Sequence, residues 1–256
     1  MLARTDHETF TQDSLTSRFR EAMTRLEAAQ KPGAGVPAYT RWVNRRLARG
    51  VASFGYAARL QPNSITVLSA VLSFAGILLL VTVAPNAGVG LIVAALLAAG
   101  YVFDSADGQL ARLYGRPSLS GEWLDHVVDS IRTPAIHVAV AVAVMRFSPE
   151  QGWVALVAVV YCLVTSGQFL SQILAEALVK SSGVTQTRGG TRRSLILLPT
   201  DPGVLCWSFV LWGFGAPFFV LYVLLAFVAV VHGGVSMQRR FRELSAIDAA
   251  RQADHA

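Results

Sequence analysis

The stretch that decides the fold is GVGLIVAALLAAGYVFDSADGQLAR, residues 88–112, in which an apolar run passes directly into acidic and basic residues. The apolar part approaches the roughly 20 residues that a helix needs to cross a bilayer. It therefore predicts a membrane-spanning helix. Asp104 and Asp107 then lie where this helix leaves the membrane.

The composition of the whole chain is that of a membrane protein. Of its 256 residues, 53% are hydrophobic and 15% are charged, and the mean hydropathy is +0.47. These values exclude an ordinary soluble domain. The net charge is +6, but most of the Lys and Arg residues lie next to the apolar runs. We therefore assign the basicity to topology and to anionic lipid headgroups, and we expect no nucleic-acid partner.

Other apolar runs lie on both sides of this stretch. Together they predict an all-α polytopic integral membrane protein with six transmembrane helices. The predicted spans are residues 64–84, 88–103, 123–145, 153–179, 203–212 and 217–235. The fifth run is short, and it needs extension at one or both ends to cross a bilayer.

Two amphipathic segments, residues 13–30 and 39–60, precede the spans and predict helices at the membrane surface. We divide the chain into a cytoplasmic N-terminal amphipathic segment (1–38), a membrane-embedded domain (39–240) and a short cytoplasmic tail (241–256), which we expect to fray from Glu243. The first 60 or so residues contain no apolar signal-peptide core, so we expect the N-terminus to stay in the cytoplasm.

The basic residues alternate between the two sides of the predicted spans. Ten Lys and Arg residues precede residue 64, and the rest lie mainly in alternate loops and in the tail. The positive-inside rule then places both termini in the cytoplasm. We accordingly predict a multi-pass protein of the inner membrane with its acidic residues on the cytoplasmic side.

Two pairs of aspartates flank the predicted cytoplasmic loop between the second and third spans. Asp104 and Asp107 are three residues apart, and Asp125 and Asp129 are four apart, so each pair shares a helical face. A short loop joins the two helices, so the pairs can converge. Four carboxylates near hydrocarbon repel one another unless a cation holds them. Carboxylate oxygens are hard ligands that suit Mg2+ or Mn2+.

Small residues accompany these aspartates. Gly108 and Gly121 have no side chain, and Ala111 has only a methyl group. A base or a phosphate can approach the backbone closely at such positions. Because glycine inside a helix costs about 1 kcal/mol relative to alanine, we expect close packing or ligand access there to compensate.

The stretch from Asp104 to Asp129 matches D-x2-D-G-x2-A-R-x8-G-x3-D-x3-D at every fixed position. It resembles the CDP-alcohol phosphotransferase family, also called the CDP-alcohol phosphatidyltransferase family. The resemblance implies that Asp104, Asp107, Asp125 and Asp129 bind two Mg2+ or Mn2+ ions. It also implies that Asp129 is the base that deprotonates the acceptor hydroxyl.

The same resemblance implies a binding site for the CDP moiety. Its residues would be Asp107, Gly108, Ala111, Arg112, Gly121, Asn63 and Thr66. Asn63 and Thr66 belong to a P-N-x-[IL]-T pattern at the start of the first span. An equally weighted alternative is that Asn63 or Ser64 is an ordinary helix cap.

The acceptor site is less sharply marked. In several members of the family, an arginine-rich cytoplasmic pocket after the fourth span binds a phosphorylated acceptor, and Arg192 or Arg193 lies at a comparable place. Arg188 is a further candidate in the same segment. The alternative is that these arginines only mark the cytoplasmic side. Residues 31–46 resemble the inositol-phosphate-transferring branch, although they also fit an anchor on anionic lipid.

We therefore predict an enzyme of phospholipid biosynthesis that transfers a phosphoalcohol group from a CDP-linked lipid donor, such as CDP-diacylglycerol, to a small polyol or polyol-phosphate acceptor and releases CMP. Inositol phosphate and glycerol phosphate are the leading acceptors. The resemblance also implies a homodimer. The alternatives are an intramembrane prenyltransferase with Asp-bound Mg2+ and a non-enzymatic ion transporter.

Overall fold

The computed structural model describes residues 14–29, 35–115, 118–182 and 191–254, apart from the side chains of residues 191–193 and 254. These ranges are helical and contain no strand, which confirms the all-α prediction. The helices are α1 Leu15–Ala28, α2 Arg45–Ala57, α3 Pro62–Thr82, α4 Ala87–Tyr114, α5 Leu119–Phe147, α6 Gly152–Ser181, α7 Thr191–Ile196, α8 Pro202–Ser208 and α9 Ala216–Asp254.

Five helices in the described ranges are long and apolar enough to cross a membrane. They cover Pro62–Thr82, Ala87–Tyr114, Leu119–Phe147, Pro149–Ser181 and Ala216–Ala253. The prediction of a multi-pass membrane protein is thus confirmed. The sixth predicted span is not confirmed, because the apolar helix Pro202–Phe214 is shorter than the roughly 20 residues of a full span.

This shorter segment lies beside α4 over much of that helix's length. Near its start, Asp201 accepts a hydrogen bond from the Thr40 hydroxyl, which is 2.6 Å from the Tyr101 hydroxyl of α4. At its other end, a Cβ on Gly213 would lie 2.1 Å from the backbone carbon of Asn86. The second half, Phe209–Phe214, is a 3-10 helix. A 3-10 helix rises about 2.0 Å per residue, so few residues cover the distance.

Two hydrophobic cores hold the helices together. The larger core lies among α4, α5, α6, α8 and α9. The smaller core joins α1, α2 and α3 to the motif-bearing half of α4 through Ala106, Leu110 and Leu113. These three residues lie on the same helical turns as Asp107. The smaller core therefore packs against the apolar residues of α4 that alternate with its acidic residues.

Helices α3 and α4 approach each other closely at Gly100. A Cβ on Gly100 would lie 2.1 Å from Ser73 Oγ and 3.1 Å from the carbonyl oxygen of Ser69. The Ser69 hydroxyl donates to the Gly100 carbonyl at 2.8 Å. Glycine and serine permit this close approach, as small residues do between membrane helices generally.

A series of polar contacts joins α6 to α9. Gln172 donates to Ser236 Oγ at 2.8 Å, and the Gln172 carbonyl oxygen accepts two hydrogen bonds from Arg240. Arg240 also forms ion pairs with Glu176 and Glu243. Matched polar positions on two helices fix their register, because a one-turn slip would leave these groups unpaired.

Two helices extend beyond the predicted bounds. Helix α5 begins at Leu119, ahead of the predicted start of the third span at residue 123, and it contains the acidic segment as predicted. The tail, expected to fray from Glu243, is helical as far as Asp254. Residues 243–254 include four alanines, and alanine is the strongest helix former. Helices α1 and α2 fall within the two amphipathic segments, and their location at the membrane surface stays a prediction.

Candidate active site

Caps mark the end of α4 and the start of α5, between the two acidic segments. Gly115 ends α4 with φ of 62°, the left-handed conformation that glycine adopts readily at such an end. Ser118 caps α5, and its hydroxyl accepts from the Gly121 amide at 3.2 Å. Helix α4 therefore ends, and α5 begins, between the two aspartate pairs.

Three of the four predicted aspartates meet. One carboxylate oxygen from each of Asp104, Asp125 and Asp129 lies within 4.8 Å of the others. All three side chains are partly buried. Oxygen donors at this spacing from two helices fit a divalent cation of the Mg2+ or Mn2+ class, so the donor set agrees with the predicted metal site.

The fourth aspartate, Asp107, has a different environment. It is buried, and its Oδ2 accepts a hydrogen bond of 2.6 Å from the Thr66 hydroxyl of α3. Its Oδ1 accepts from the backbone amide of Gly108. Asp107 therefore links α3 to α4 beside the three-carboxylate cluster. A role for Asp107 in metal binding stays a prediction.

The predicted nucleotide-binding residues surround Asp107. A Cβ on Gly108 would have only Arg112 Nη1 nearby, at 3.7 Å, so the backbone there has open space in front of it. The Nε of Arg112 is buried and has no hydrogen-bond partner among the residues that the structure describes. A buried guanidinium nitrogen without an acceptor suits an anionic ligand such as a phosphate.

Gly121 and Asn63 lie together at the start of α5 and α3. A Cβ on Gly121 would lie 3.1 Å from Asn63 Oδ1, so the missing side chain makes room for this amide. Helix α3 begins at Pro62, and its N-cap residue Gln61 makes no side-chain capping bond. The capping alternative for Asn63 and Ser64 is therefore not observed, while nucleotide binding by Asn63, Thr66 and Ala111 stays a prediction.

The sequence analysis missed Arg132. This residue lies in α5, is 8% exposed, and forms an ion pair with Asp104 at 2.8 Å and another with Asp129. Its Nη1 donates to Ser69 Oγ of α3 at 3.0 Å. Two signals could have found it: a charge inside an apolar run, and a spacing of three from Asp129.

The segment before α2 also reaches the site. Asn44 is fully buried in the π-helical stretch Thr40–Asn44 and donates to Ser105 Oγ at 2.6 Å, next to Asp104. π-Helical turns are frequent at functional sites. Burial lowers the pKa of Arg45, and the neighbouring charge of Arg41 lowers it further. A cationic, partly buried segment thus lies against the acidic end of α4.

The predicted acceptor residues are only partly described. Arg188 lies outside the described residues, and the structure describes the backbone but not the side chains of Arg192 and Arg193, which belong to α7. The next residue, Ser194, is buried, and its hydroxyl accepts from Arg41 Nη1 at 3.2 Å. Helix α7 therefore packs against the basic segment that precedes α2.

A multi-span helical bundle with three converging carboxylates defines a membrane-embedded protein with an acidic cluster that could hold a cation. A family model described as CDP-alcohol phosphatidyltransferase matches residues 59–235, which is more than half of the chain. The chain belongs to this family. The match removes the support for the prenyltransferase and transporter alternatives.

A relative of known name is similar over part of the chain. CDP-diacylglycerol–serine O-phosphatidyltransferase of Mycobacterium leprae (strain TN) is 31% identical over 106 residues. The matched region covers 41% of this chain and 34% of that protein. The chain thus matches about one third of the relative's length, and the similarity does not fix the acceptor.

Proposed function

We propose that this protein transfers a phosphatidyl group from CDP-diacylglycerol to the hydroxyl group of a small acceptor and releases CMP, in a reaction that depends on a divalent cation. One observation carries the proposal. The family's aspartates come from two successive helices, and three of them converge within 4.8 Å. The helix that carries Asp104 also carries Arg112, whose Nε is buried and has no hydrogen-bond partner among the described residues. One helix thus provides both a cation ligand and a group that can bind a phosphate.

The residues of this chain suggest how the reaction would proceed. A bound divalent cation would neutralise the negative charge of the diphosphate. Arg112 would bind a phosphate oxygen of the donor, with the open backbone at Gly108 leaving room for the nucleotide. Asp129 would accept the proton of the acceptor hydroxyl. The hydroxyl oxygen would attack the phosphorus that bears diacylglycerol, and the bond from that phosphorus to CMP would break.

The leading acceptor class is a phosphorylated polyol, such as inositol phosphate or glycerol phosphate. The segment 40–45 carries Arg41 and Arg45 against α4 and α7, and α7 itself contains Arg192 and Arg193. Arginines grouped at the cytoplasmic end of a bundle favour an anionic acceptor. These arginines would bind the phosphate group of the acceptor, while Arg112 binds a phosphate of the donor.

Serine is the second candidate acceptor. The observation that favours it is the name of the Mycobacterium leprae relative, whose similarity covers 106 residues. Serine is zwitterionic and would need less positive charge at the acceptor site than a phosphorylated polyol. The two candidates therefore predict different effects of substitutions in the basic segment.

An acceptor screen separates these candidates. Purified protein with Mn2+ or Mg2+ and labelled CDP-diacylglycerol is offered serine, glycerol 3-phosphate, inositol and inositol 3-phosphate in parallel. We expect the labelled phosphatidyl group to appear in a new phospholipid when one of the phosphorylated polyols is offered. Arg41→Gln should then raise KM for that acceptor. Transfer to serine alone would favour the second candidate, and transfer to none of the four would contradict both.

We further propose that the protein lies in the inner membrane with both termini and the aspartates on the cytoplasmic side. The distribution of basic residues supports this orientation. The lipid tail of the donor would lie among the spans, with its headgroup at the aspartates. Two bound ions and a homodimeric assembly stay predictions that follow from the family resemblance.

A further inference from the structure

Arg132 is a buried cation in direct contact with the acidic cluster. Its side chain lies in α5, one turn after Asp129, and reaches both Asp104 on α4 and Asp129 on its own helix through Nη2. Arginine is always charged, so burial next to two carboxylates fixes a positive charge within the cluster. The proposed reaction mechanism gives this charge no role.

The position of the guanidinium is fixed from its other side. Its Nη1 donates to Ser69 Oγ at 3.0 Å, and the Ser69 hydroxyl donates to the carbonyl oxygen of Gly100 at 2.8 Å. Ser69 is fully buried. The guanidinium is planar and rigid, so this anchor on α3 determines where Nη2 lies. Arg132 thus connects α3, α4 and α5 at the level of the carboxylates.

We propose that Arg132 is a positioning residue that serves as a resident counter-charge of the cation site. It holds Asp104 and Asp129 together when no metal is bound, and its charge opposes that of a bound metal ion. This inference rests on the cation site of the proposed function. It differs from a simple packing role, because it ties the effect of Arg132 to the presence of the metal.

The charge of Arg132 determines how a bound metal ion should change the stability of an Arg132 variant. Without Arg132, the carboxylates of Asp104 and Asp129 lose the cation that pairs with both of them, and the metal-free protein loses stability. A bound metal ion supplies the missing positive charge, so replacement of Arg132 lowers the stability of the metal-bound protein less than that of the metal-free protein. Anything that binds the folded state more tightly stabilises it further. The metal must therefore stabilise an Arg132→Gln variant more than it stabilises the wild type.

The experiment measures Mn2+ binding without substrate. Free Mn2+ is followed by electron paramagnetic resonance as it is titrated into the full-length protein in detergent. Since like charges a few ångströms apart repel even when water screens them, we expect Arg132→Gln to bind Mn2+ about tenfold more tightly than wild type. Arg132→Lys keeps the charge and should shift the Kd less. If Arg132→Gln does not fold, the Mn2+ Kd of Arg132→Lys is compared with that of wild type instead.

Thermal unfolding with and without Mn2+ provides the second readout. Arg240→Gln is the matched control, since Arg240 is also a largely buried arginine paired with two acidic residues, but on α6 and α9. We expect Mn2+ to raise the Tm of Arg132→Gln more than that of wild type, whereas Arg240→Gln should respond to Mn2+ like wild type.

Several outcomes would overturn the inference. An unchanged Mn2+ Kd in Arg132→Gln, with the same loss of Tm in the presence and absence of metal, would reduce Arg132 to a packing role. Weaker Mn2+ binding would show that Arg132 assists the metal rather than opposing it. Absence of Mn2+ binding to wild type and variant alike would remove the cation site itself, which is a failure of the proposed function.

Discussion

At the scale of single residues, the bond between Thr66 and Asp107 shows how α3 supports the site. Both side chains are buried, and the hydroxyl-to-carboxylate distance is 2.6 Å. A buried carboxylate needs donors, and Asp107 has the Thr66 hydroxyl and the Gly108 amide. Thr66 thus fixes the rotamer of Asp107. Asp107 is the aspartate of the family motif that lies outside the cluster of three.

Replacement of Thr66 by valine removes the donor and keeps the shape of the side chain. We expect Thr66→Val to lower the free energy of unfolding by about 1–3 kcal/mol, because a buried carboxylate oxygen loses its partner. Thr66→Ser keeps the hydroxyl and is the matched control. Tryptophan fluorescence during thermal unfolding in detergent measures both. Equal stability of the valine and serine variants would contradict the importance of this bond.

Asp129 is the residue on which the proposed chemistry depends most. We expect Asp129→Asn to lower turnover at least about 100-fold, because an amide cannot accept the proton of the acceptor hydroxyl. Binding of CDP-diacylglycerol should persist. Glu122→Gln, which changes an exposed carboxylate in the first turn of the same helix, should leave turnover unchanged. Wild-type turnover in Asp129→Asn would refute its assignment as the base.

At the scale of helices, the contact of α3 with α4 at Gly100 sets the position of the motif. The Cβ of Gly100→Ala would meet Ser73 Oγ, and it would lie 3.1 Å from the backbone oxygen of Ser69 and 3.2 Å from the backbone nitrogen of Ser73. The Ser73 hydroxyl can rotate away, but the backbone atoms cannot move unless the helices separate. We expect a loss of about 1–3 kcal/mol in the free energy of unfolding, the usual cost of overpacking.

Gly50 provides the control for this substitution. A Cβ at Gly50 of α2 would have no heavy atom within 4 Å. We expect Gly50→Ala to be neutral or to stabilise the protein by up to about 1 kcal/mol, since alanine favours a helix over glycine. Thermal unfolding of both variants in one detergent gives the comparison. A Gly100→Ala protein as stable as Gly50→Ala would mean that α3 and α4 are less tightly packed than the structure shows.

At the scale of the whole molecule, the number of membrane crossings decides where the C-terminus lies. The segment Pro202–Phe214 lies along α4 between the levels of Tyr101 and Asn86, which supports a sixth crossing despite its length. Six crossings place Glu150 and Ser245 on opposite sides of the membrane, whereas five crossings place them on the same side.

Cysteine labelling distinguishes the two topologies. In a Cys162→Ala, Cys206→Ala background, either Glu150→Cys or Ser245→Cys is introduced, and intact cells are treated with an impermeant thiol reagent. We expect a cysteine at position 150 to react from outside and one at 245 to react only after the cells are permeabilised. Reaction of both from outside would support five crossings and place the C-terminus outside the cytoplasm.

Apolar runs and the spacing of acids made most of the architecture predictable. Helical periodicity placed each aspartate pair on one face, and the long runs located the five spans. The divergence of Asp107 toward Thr66 was not predictable, because it depends on the rotamer and on the neighbouring helix α3. Arg132 and Ser69 come together only through tertiary packing, since they are far apart in sequence.

The most direct test of the proposed function is release of CMP from CDP-diacylglycerol by the purified wild-type protein, followed as Mn2+ is removed with EDTA and then restored. We expect release to require an acceptor, to stop when the metal is chelated, and to return when Mn2+ is added in excess. CMP release that survives full chelation would remove the cation from the mechanism. Its absence under all of these conditions would contradict the proposed activity itself.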